Sequence, residues 1–273
     1  MPINVSPVPQ ALRDAAYNNG QAVPSWSDTF TRWTAESAVI RERFTATMDV
    51  PFGPGERQKV DLYPAREAGA PCLVYFHGGY WMRNRREMFA VLGEGVMAHG
   101  WSVAMPGYTL APEASLASIV AECSAALDLL AADGARHGIA GPLIVAGWSA
   151  GGHLAAMALS HEAVTAGLAI SGIFELAPLA GTYLNENLRL TAEEIADLSP
   201  LRRPSVMKPL GITYGDRELP ALVANSHAFH ASRQRAGAPG PLVPVAGADH
   251  FSILDTMRDP EGILTRMLLD LAP

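Results

Sequence analysis

Leu143-Ile-Val-Ala-Gly147-Trp-Ser149-Ala-Gly151-Gly-His153 is the stretch that decides how this chain folds. It begins as an apolar run and ends as the small-residue start of a helix. Between them stands Gly147-Trp148-Ser149-Ala150-Gly151, a G-x-S-x-G pattern. In that spacing a strand stops, the chain reverses and a helix begins, with the serine hydroxyl exposed at the apex of a strained turn. The flanking glycines let strand and helix approach where a Cβ would clash. The helix N-terminus beneath the serine favours a developing negative charge. Ordinary strand-to-helix turns also contain such residues. The pattern therefore carries chemistry only if the chain also supplies a base, an acid and donors for an oxyanion.

At 273 residues with 49% apolar side chains, the chain can build a sizeable core, and it reads as a single domain over 1–273. Charged residues make up only 17% and the net charge is -7, which argues against a nucleic-acid partner. Cys72 and Cys123 lie far apart in apolar segments. They read as buried thiols, and nothing suggests a zinc site or a disulfide framework. Residues 1–10 lack the basic head and apolar run of a signal peptide. The longest apolar stretch, around 143–160, is interrupted by Gly147, Gly151, Gly152 and His153 and does not suit a membrane span. The expectation is a soluble, cytoplasmic protein that needs no metal or other cofactor and has no membrane partner. An apolar edge would leave room for a homodimer.

Outward from the elbow, the chain alternates strand and helix. Residues 7–24 read as an irregular arm rich in Pro, Asn and Gly. A helix is expected from Ser25 or Ser27, with Trp26, Phe30 and Trp33 at helical spacing; residues 1–41 thus form an arm and helix near the site. Residues 42–50 and 57–63 alternate like strands around a Pro51–Gly55 hairpin loop. Strands are then expected at 72–76, 102–105, 143–146, 166–170, 210–214 and 242–245. Helices are expected at 85–99, 115–133, 151–160, 219–236 and 260–271. The alternation predicts an α/β fold, a mostly parallel twisted sheet with helices on both faces. Residues 173–208 break the pattern, with a capping-box start at Thr191-Ala-Glu-Glu194, and read equally as a small lid or as a surface excursion.

The other parts of a reactive site stand at strand ends. His77-Gly78-Gly79-Tyr80-Trp81 follows the first buried strand. Its Gly78 and Gly79 amides, with that of Ala150, suit an oxyanion hole. His77 reads as shaping this loop rather than as the base. His250 follows the last strand and can reach the elbow from the sheet's carboxyl edge, whereas His153 is too near Ser149 and reads as packing beneath it. The loop Gly215-Asp216-Arg217-Glu218 offers two carboxylates, and Asp249 is a third. An acid three residues after the glycine favours Glu218 over Asp216. The order Ser149, Glu218, His250 is the nucleophile, acid, base order of α/β-hydrolases.

With these residues the chain resembles the arylformamidases (kynurenine formamidases) and their bacterial esterase relatives. The resemblance rests on His77-Gly-Gly-Tyr-Trp81, Tyr17-Asn-Asn19 with Val23-Pro24, the elbow with His153, Tyr183-Leu-Asn185, Glu218-Leu-Pro220 and Asp249-His-Phe251. Tyr108-Thr-Leu-Ala-Pro-Glu113 is similar to a family stretch that carries arginine where this chain has Thr109. The resemblance implies hydrolysis of an aryl formamide or of a small ester, by a metal-independent serine hydrolase working through an acyl-enzyme. It also supports Glu218 as the acid. Tyr80, Trp81, Trp148, Tyr183 and Phe251 are candidates for an aromatic substrate pocket. The competing reading is a ligand-binding protein that keeps the α/β-hydrolase fold without turnover. A histidine base predicts activity that falls toward acid pH as the imidazole protonates. A pH–rate profile that stays flat into the acid range contradicts this.

Overall fold

A computed structural model describes residues 8–273; the parts of the signal-peptide reading (1–10) and of the irregular-arm reading (7–24) that fall on residues 1–7 lie outside the described residues. Among the described residues eight strands form one sheet: β1 (Thr47–Pro51), β2 (Lys59–Tyr63), β3 (Cys72–Phe76), β4 (Ser102–Pro106), β5 (Leu143–Trp148), β6 (Val164–Ile170), β7 (Leu210–Gly215) and β8 (Leu242–Val245). Their order is β1-β2-β4-β3-β5-β6-β7-β8. The β1–β2 hairpin and the β2–β4 pair are antiparallel, and every other pair is parallel. This is the mostly parallel sheet expected from the alternation.

Side-chain alternation along the central strands divides the interior in two. Cys72, Val74, Phe76, Leu143 and Val145 belong to one core, with residues from the helices Leu116–Asp133, Ala150–Ala158 and Pro220–Arg235. Leu73, Tyr75, Ile144, Ala146 and Trp148 belong to the other, with residues from the helices Trp26–Arg43, Glu94–Ala98 and Ile263–Leu269. Helices therefore cover both faces, which is why the buried strands read as continuous apolar runs.

Some local expectations are corrected. Residues 10–15 and 19–22 are helical rather than irregular, the second turn capped by the Asn18 side chain. Residues 42 and 43 finish the Trp26–Arg43 helix, and strand β1 begins only at Thr47. The segment 85–99 is not one helix. Two 3₁₀ turns, Arg86–Met88 and Ala90–Gly93, precede a short α-helix at Glu94–Ala98. Gly95 stands inside the α-helical part, where a Cβ would lie 2.4 Å from the Met257 carbonyl oxygen, and Phe89 through Leu92 upstream are buried whatever the local geometry. Residues 173–208 contain only short elements, including Ala192–Leu198 with the predicted Thr191 capping box. Among the described residues no helix is long and apolar enough to cross a membrane.

The sheet order sets where chemistry can occur. Because β3 and β5 are neighbours, the loop after β3 lies beside the turn after β5. The loops after β7 and β8 open on the same carboxyl edge, where open α/β sheets bind ligands.

Two imidazoles lie wholly inside this framework. His153, in the helix after the elbow, donates from Nε2 to the Leu198 carbonyl at 2.7 Å and meets Trp81 edge to face. His77 stacks on Tyr108 with ring centroids 4.3 Å apart. Burial lowers both from the ordinary value of 6.5 to about 4. Between those values the unfolded chain binds more protons than the folded one. Stability is therefore full above about pH 6.5 and falls as pH drops toward 4, by up to about 3 kcal/mol for each imidazole. Calorimetry at a series of pH values should show a lower Tm at about pH 4.5 than at about pH 7. The fall should be shallower in His153→Gln, and an equal fall in both proteins would refute the contribution of His153.

Candidate active site

The elbow takes the strained form that its sequence suggests. Ser149 has φ 58° and ψ -117°, between the last residue of β5 and the first of the Ala150–Ala158 helix. Its N–H donates to the Ile170 carbonyl at 2.8 Å, which ties the turn to the end of β6. A Cβ at Gly147 would stand 2.1 Å from the Gly151 carbonyl oxygen, and one at Gly151 would stand 2.0 Å from that of Phe76. Both obstacles are backbone, so only glycine fits. Ala150, at the helix start, has an N–H without an intrahelical partner.

His250 and Glu218 meet on the same edge. The His250 Nδ1–H donates to Glu218 Oε2 at 2.8 Å, and both residues are buried, at 3% and 8% exposure. Glu218 Oε1 accepts the Gly215 N–H at 2.7 Å and the Ser171 hydroxyl at 2.5 Å. The carboxylate is thus held by donors from the ends of β6 and β7 and from the loop after β8, which offsets the cost of burying it. Trp148 Nε1 donates to the His250 carbonyl at 2.7 Å, and the indole and imidazole ring centroids are 4.9 Å apart. Asp216 accepts the Gly247 N–H at 2.8 Å instead, and Asp249 caps the following turn through the Phe251 and Ser252 N–H groups. Neither carboxylate pairs with the imidazole.

The loop after β3 carries three consecutive positive φ angles: Gly79 at 121°, Tyr80 at 51° and Trp81 at 58°. Positive φ at two bulky residues is strained and survives only where surrounding contacts enforce it. Those contacts are present. His77 Nδ1 and Asn84 Nδ2 both donate to the Gly78 carbonyl, at 2.9 and 3.0 Å. The Tyr108 hydroxyl donates to the His77 carbonyl at 2.8 Å. The Tyr80 hydroxyl donates to the Tyr17 carbonyl at 2.6 Å and accepts from Asn19 at 3.1 Å. His77 therefore shapes this loop, as expected.

A cavity of about 370 Å³ opens onto Ser149 and His250. Gly79, Tyr80, Trp148, Tyr183 and Phe251 line it. The geometry thus brings together Ser149, His250, Glu218 and four of the five expected aromatic residues.

Residues 73–253 match the model of a family described as the alpha/beta hydrolase fold. This chain belongs to the alpha/beta-hydrolase family. It is similar to a kynurenine formamidase of Danio rerio, 30% identical over 238 residues that cover 81% of this chain and 80% of that protein. It is also similar to a solved structure of a candidate thioesterase from Silicibacter, 30% identical with a TM-score of 0.84, covering 94% of this chain and 98% of the other. A Pyrobaculum calidifontis esterase, 17% identical with a TM-score of 0.72 over 97% of this chain and 98% of its own, shares the fold.

Trp81 is the expected aromatic residue that this hydrolase does not place at the cavity. It is fully buried and packs on His153 beneath the elbow. Conversely, Asn18, Asn19, Gln21, Trp26, Phe30, Arg83 and Asn84 line the cavity without having been singled out for it. Phe30 lies 6.2 Å from Trp148 and 5.9 Å from Phe251 between ring centroids, so the N-terminal helix packs directly beside His250. Ser171, which holds Glu218, was also missed; its only signal is a Ser-Gly pair at the end of a predicted strand.

The Tyr80 hydroxyl offers a test of how tightly the loop is held. Tyr80→Phe leaves the buried Tyr17 carbonyl and Asn19 amide without this partner. It should cost about 1–3 kcal/mol in urea unfolding. A loss below about 0.5 kcal/mol would show that this link does not secure the loop.

Proposed function

We propose that this alpha/beta-hydrolase is a serine hydrolase that cleaves small acyl esters or aryl formamides through an acyl-enzyme, with Ser149 as nucleophile, His250 as base and Glu218 as acid. One observation carries the reading: a strained, buried serine at a helix start shares one cavity with an imidazole whose other nitrogen donates to a buried carboxylate. The name of the Danio rerio relative supports the formamide half of the substrate class.

In this reading the Nδ1–H bond to Glu218 leaves Nε2 of His250 free to accept the Ser149 proton as the hydroxyl attacks a carbonyl carbon. The C–O bond to Ser149 forms, and the carbonyl oxygen becomes an oxyanion. N–H groups of Gly78, Gly79 and Ala150 take up that charge, each worth about 3 kcal/mol in the transition state. The carbonyl re-forms as the bond to the leaving oxygen or nitrogen breaks, and His250 returns the proton to that atom. Water then repeats the sequence on the acyl-enzyme and frees the acid. Glu218 stabilises the imidazolium at each stage. In the same reading the chain is one domain, and residues 173–208 supply a wall of the site through Tyr183.

A fluorophosphonate probe should label the wild type and leave Ser149→Ala unlabelled. An unlabelled wild type overturns the enzymatic reading and favours a binding protein. Glu218→Gln should lower kcat by roughly 10³- to 10⁴-fold, while Asp216→Asn should change it by no more than about threefold. The reverse ranking would reassign the acid. Comparing kcat/KM for N-formylkynurenine with that for p-nitrophenyl acetate decides the acyl class. Efficient turnover of the ester alone removes the formamide half.

A further inference from the structure

We propose that Arg83 makes the cavity selective for acyl substrates whose aromatic leaving group carries a carboxylate, so that net-anionic substrates are preferred to neutral and to cationic ones. This rests on the reading of Ser149 as the nucleophile.

The wall of the cavity is electrically one-sided. Arg83 is the one permanently charged residue that lines it among the described residues. No aspartate, glutamate or lysine lines it among the described residues. Arg83 is exposed, and among the described residues its side chain makes no ion pair or hydrogen bond to the protein. The acids nearby are already engaged. Glu218 is bound by His250, Ser171 and Gly215. Asp14, behind Tyr183, accepts the Tyr183 N–H and the Gln10 amide, each at 2.8 Å.

The charge also stands at a useful place. The Arg83 carbonyl sits where a Cβ on Gly79 would fall, 2.5 Å from that position, so Arg83 lies on the loop that would hold the oxyanion. Its positive field reaches the Tyr80 and Tyr183 hydroxyls, where it opposes the upward push of burial on both. The ring of a substrate between Tyr80, Tyr183, Trp148, Phe251, Phe30 and Trp26 would present its substituents near this guanidinium. A planar guanidinium recognises a carboxylate through paired N–H bonds. An ammonium group there would meet positive potential and find no carboxylate partner. An amino-acid side chain carrying both charges would gain the first contact and suffer the second.

Three phenyl acetates test this, bearing a meta carboxylate, its methyl ester, or an aminomethyl group. Intrinsic reactivity of each leaving group is common to all enzyme variants. The change between variants in the ratio of kcat/KM for the carboxylate to that for the methyl ester therefore isolates the charge contact. Arg83→Gln should lower that ratio about tenfold, and Arg83→Glu should lower it further and raise the relative rate of the aminomethyl ester. In the wild type the ratio should shrink as salt rises to about 0.5 M. Ratios that agree within about twofold across the wild type and both variants overturn the proposal. Fluorophosphonate labelling and hydrolysis of the methyl ester by the wild type keep the two readings apart. If both persist while the ratios stay flat, only the role of Arg83 fails; if both are absent, the Ser149 reading fails.

Discussion

A Cβ on residue 151 would lie 2.0 Å from the Phe76 carbonyl oxygen, and one on residue 147 would lie 2.1 Å from that of Gly151. At these positions β3, β5 and the helix after β5 touch backbone to backbone, with no flexible side chain between them to give way. The contact forces the reversal to occur within a single residue, and Ser149 absorbs it at φ 58°. Such strain persists only where the surroundings over-determine it. Here the Ser149 N–H is taken by β6, and the next turn is continuous helix. The same contact brings the end of β3 against the elbow, so the loop with the Gly78 and Gly79 amides stands beside the serine. Every other part of the site is arranged around this close approach.

Buried charge is handled with equal economy of groups. Glu218 lies beneath the surface with three donors on its two oxygens, one each from the ends of β6 and β7 and one from the loop after β8. An unpaired carboxylate at that depth would be costly. The positive φ of Ser171, 50°, is part of the arrangement, since it belongs to the residue whose hydroxyl meets the acid. Toward the other end of the strand order, in β2, Asp61, also buried, pairs with Arg41 and Arg86 and accepts the Asp49 N–H at 3.0 Å. That network joins the long N-terminal helix to the β1–β2 hairpin, and so fixes the element that carries Trp26 and Phe30 to the cavity.

Most of the fold is legible in the sequence. The central strands are short apolar runs bounded by turn residues and alternate with helices along the chain, so local pattern and tertiary role agree there. Where they disagree, the local signal failed. Residues 85–99 have helical spacing at Met88, Leu92 and Val96, yet the chain winds as 3₁₀ turns up to Gly93 before an α-helix forms, and burial holds Phe89 through Leu92 whatever the local geometry. Trp81 belongs to a loop that lines the cavity, but its backbone at φ 58° turns the indole inward against His153.

The sequence by itself determined the order of chemical groups: a serine in a glycine-flanked turn, carboxylates after one strand, a histidine after the next and two glycines after an earlier one. These are matters of residue type and spacing, which periodicity and turn chemistry expose directly. Only the tertiary structure decided which carboxylate meets His250. Asp216 and Glu218 differ by two positions in one loop, and their roles depend on which one the Ser171 hydroxyl and the Gly215 N–H can reach. It also decided that Asn19, Trp26 and Phe30 line a cavity with residues more than a hundred positions away. Contacts of that kind arise from the packing of the N-terminal helix across the sheet's carboxyl edge, and no local pattern records which face of one helix will meet which loop.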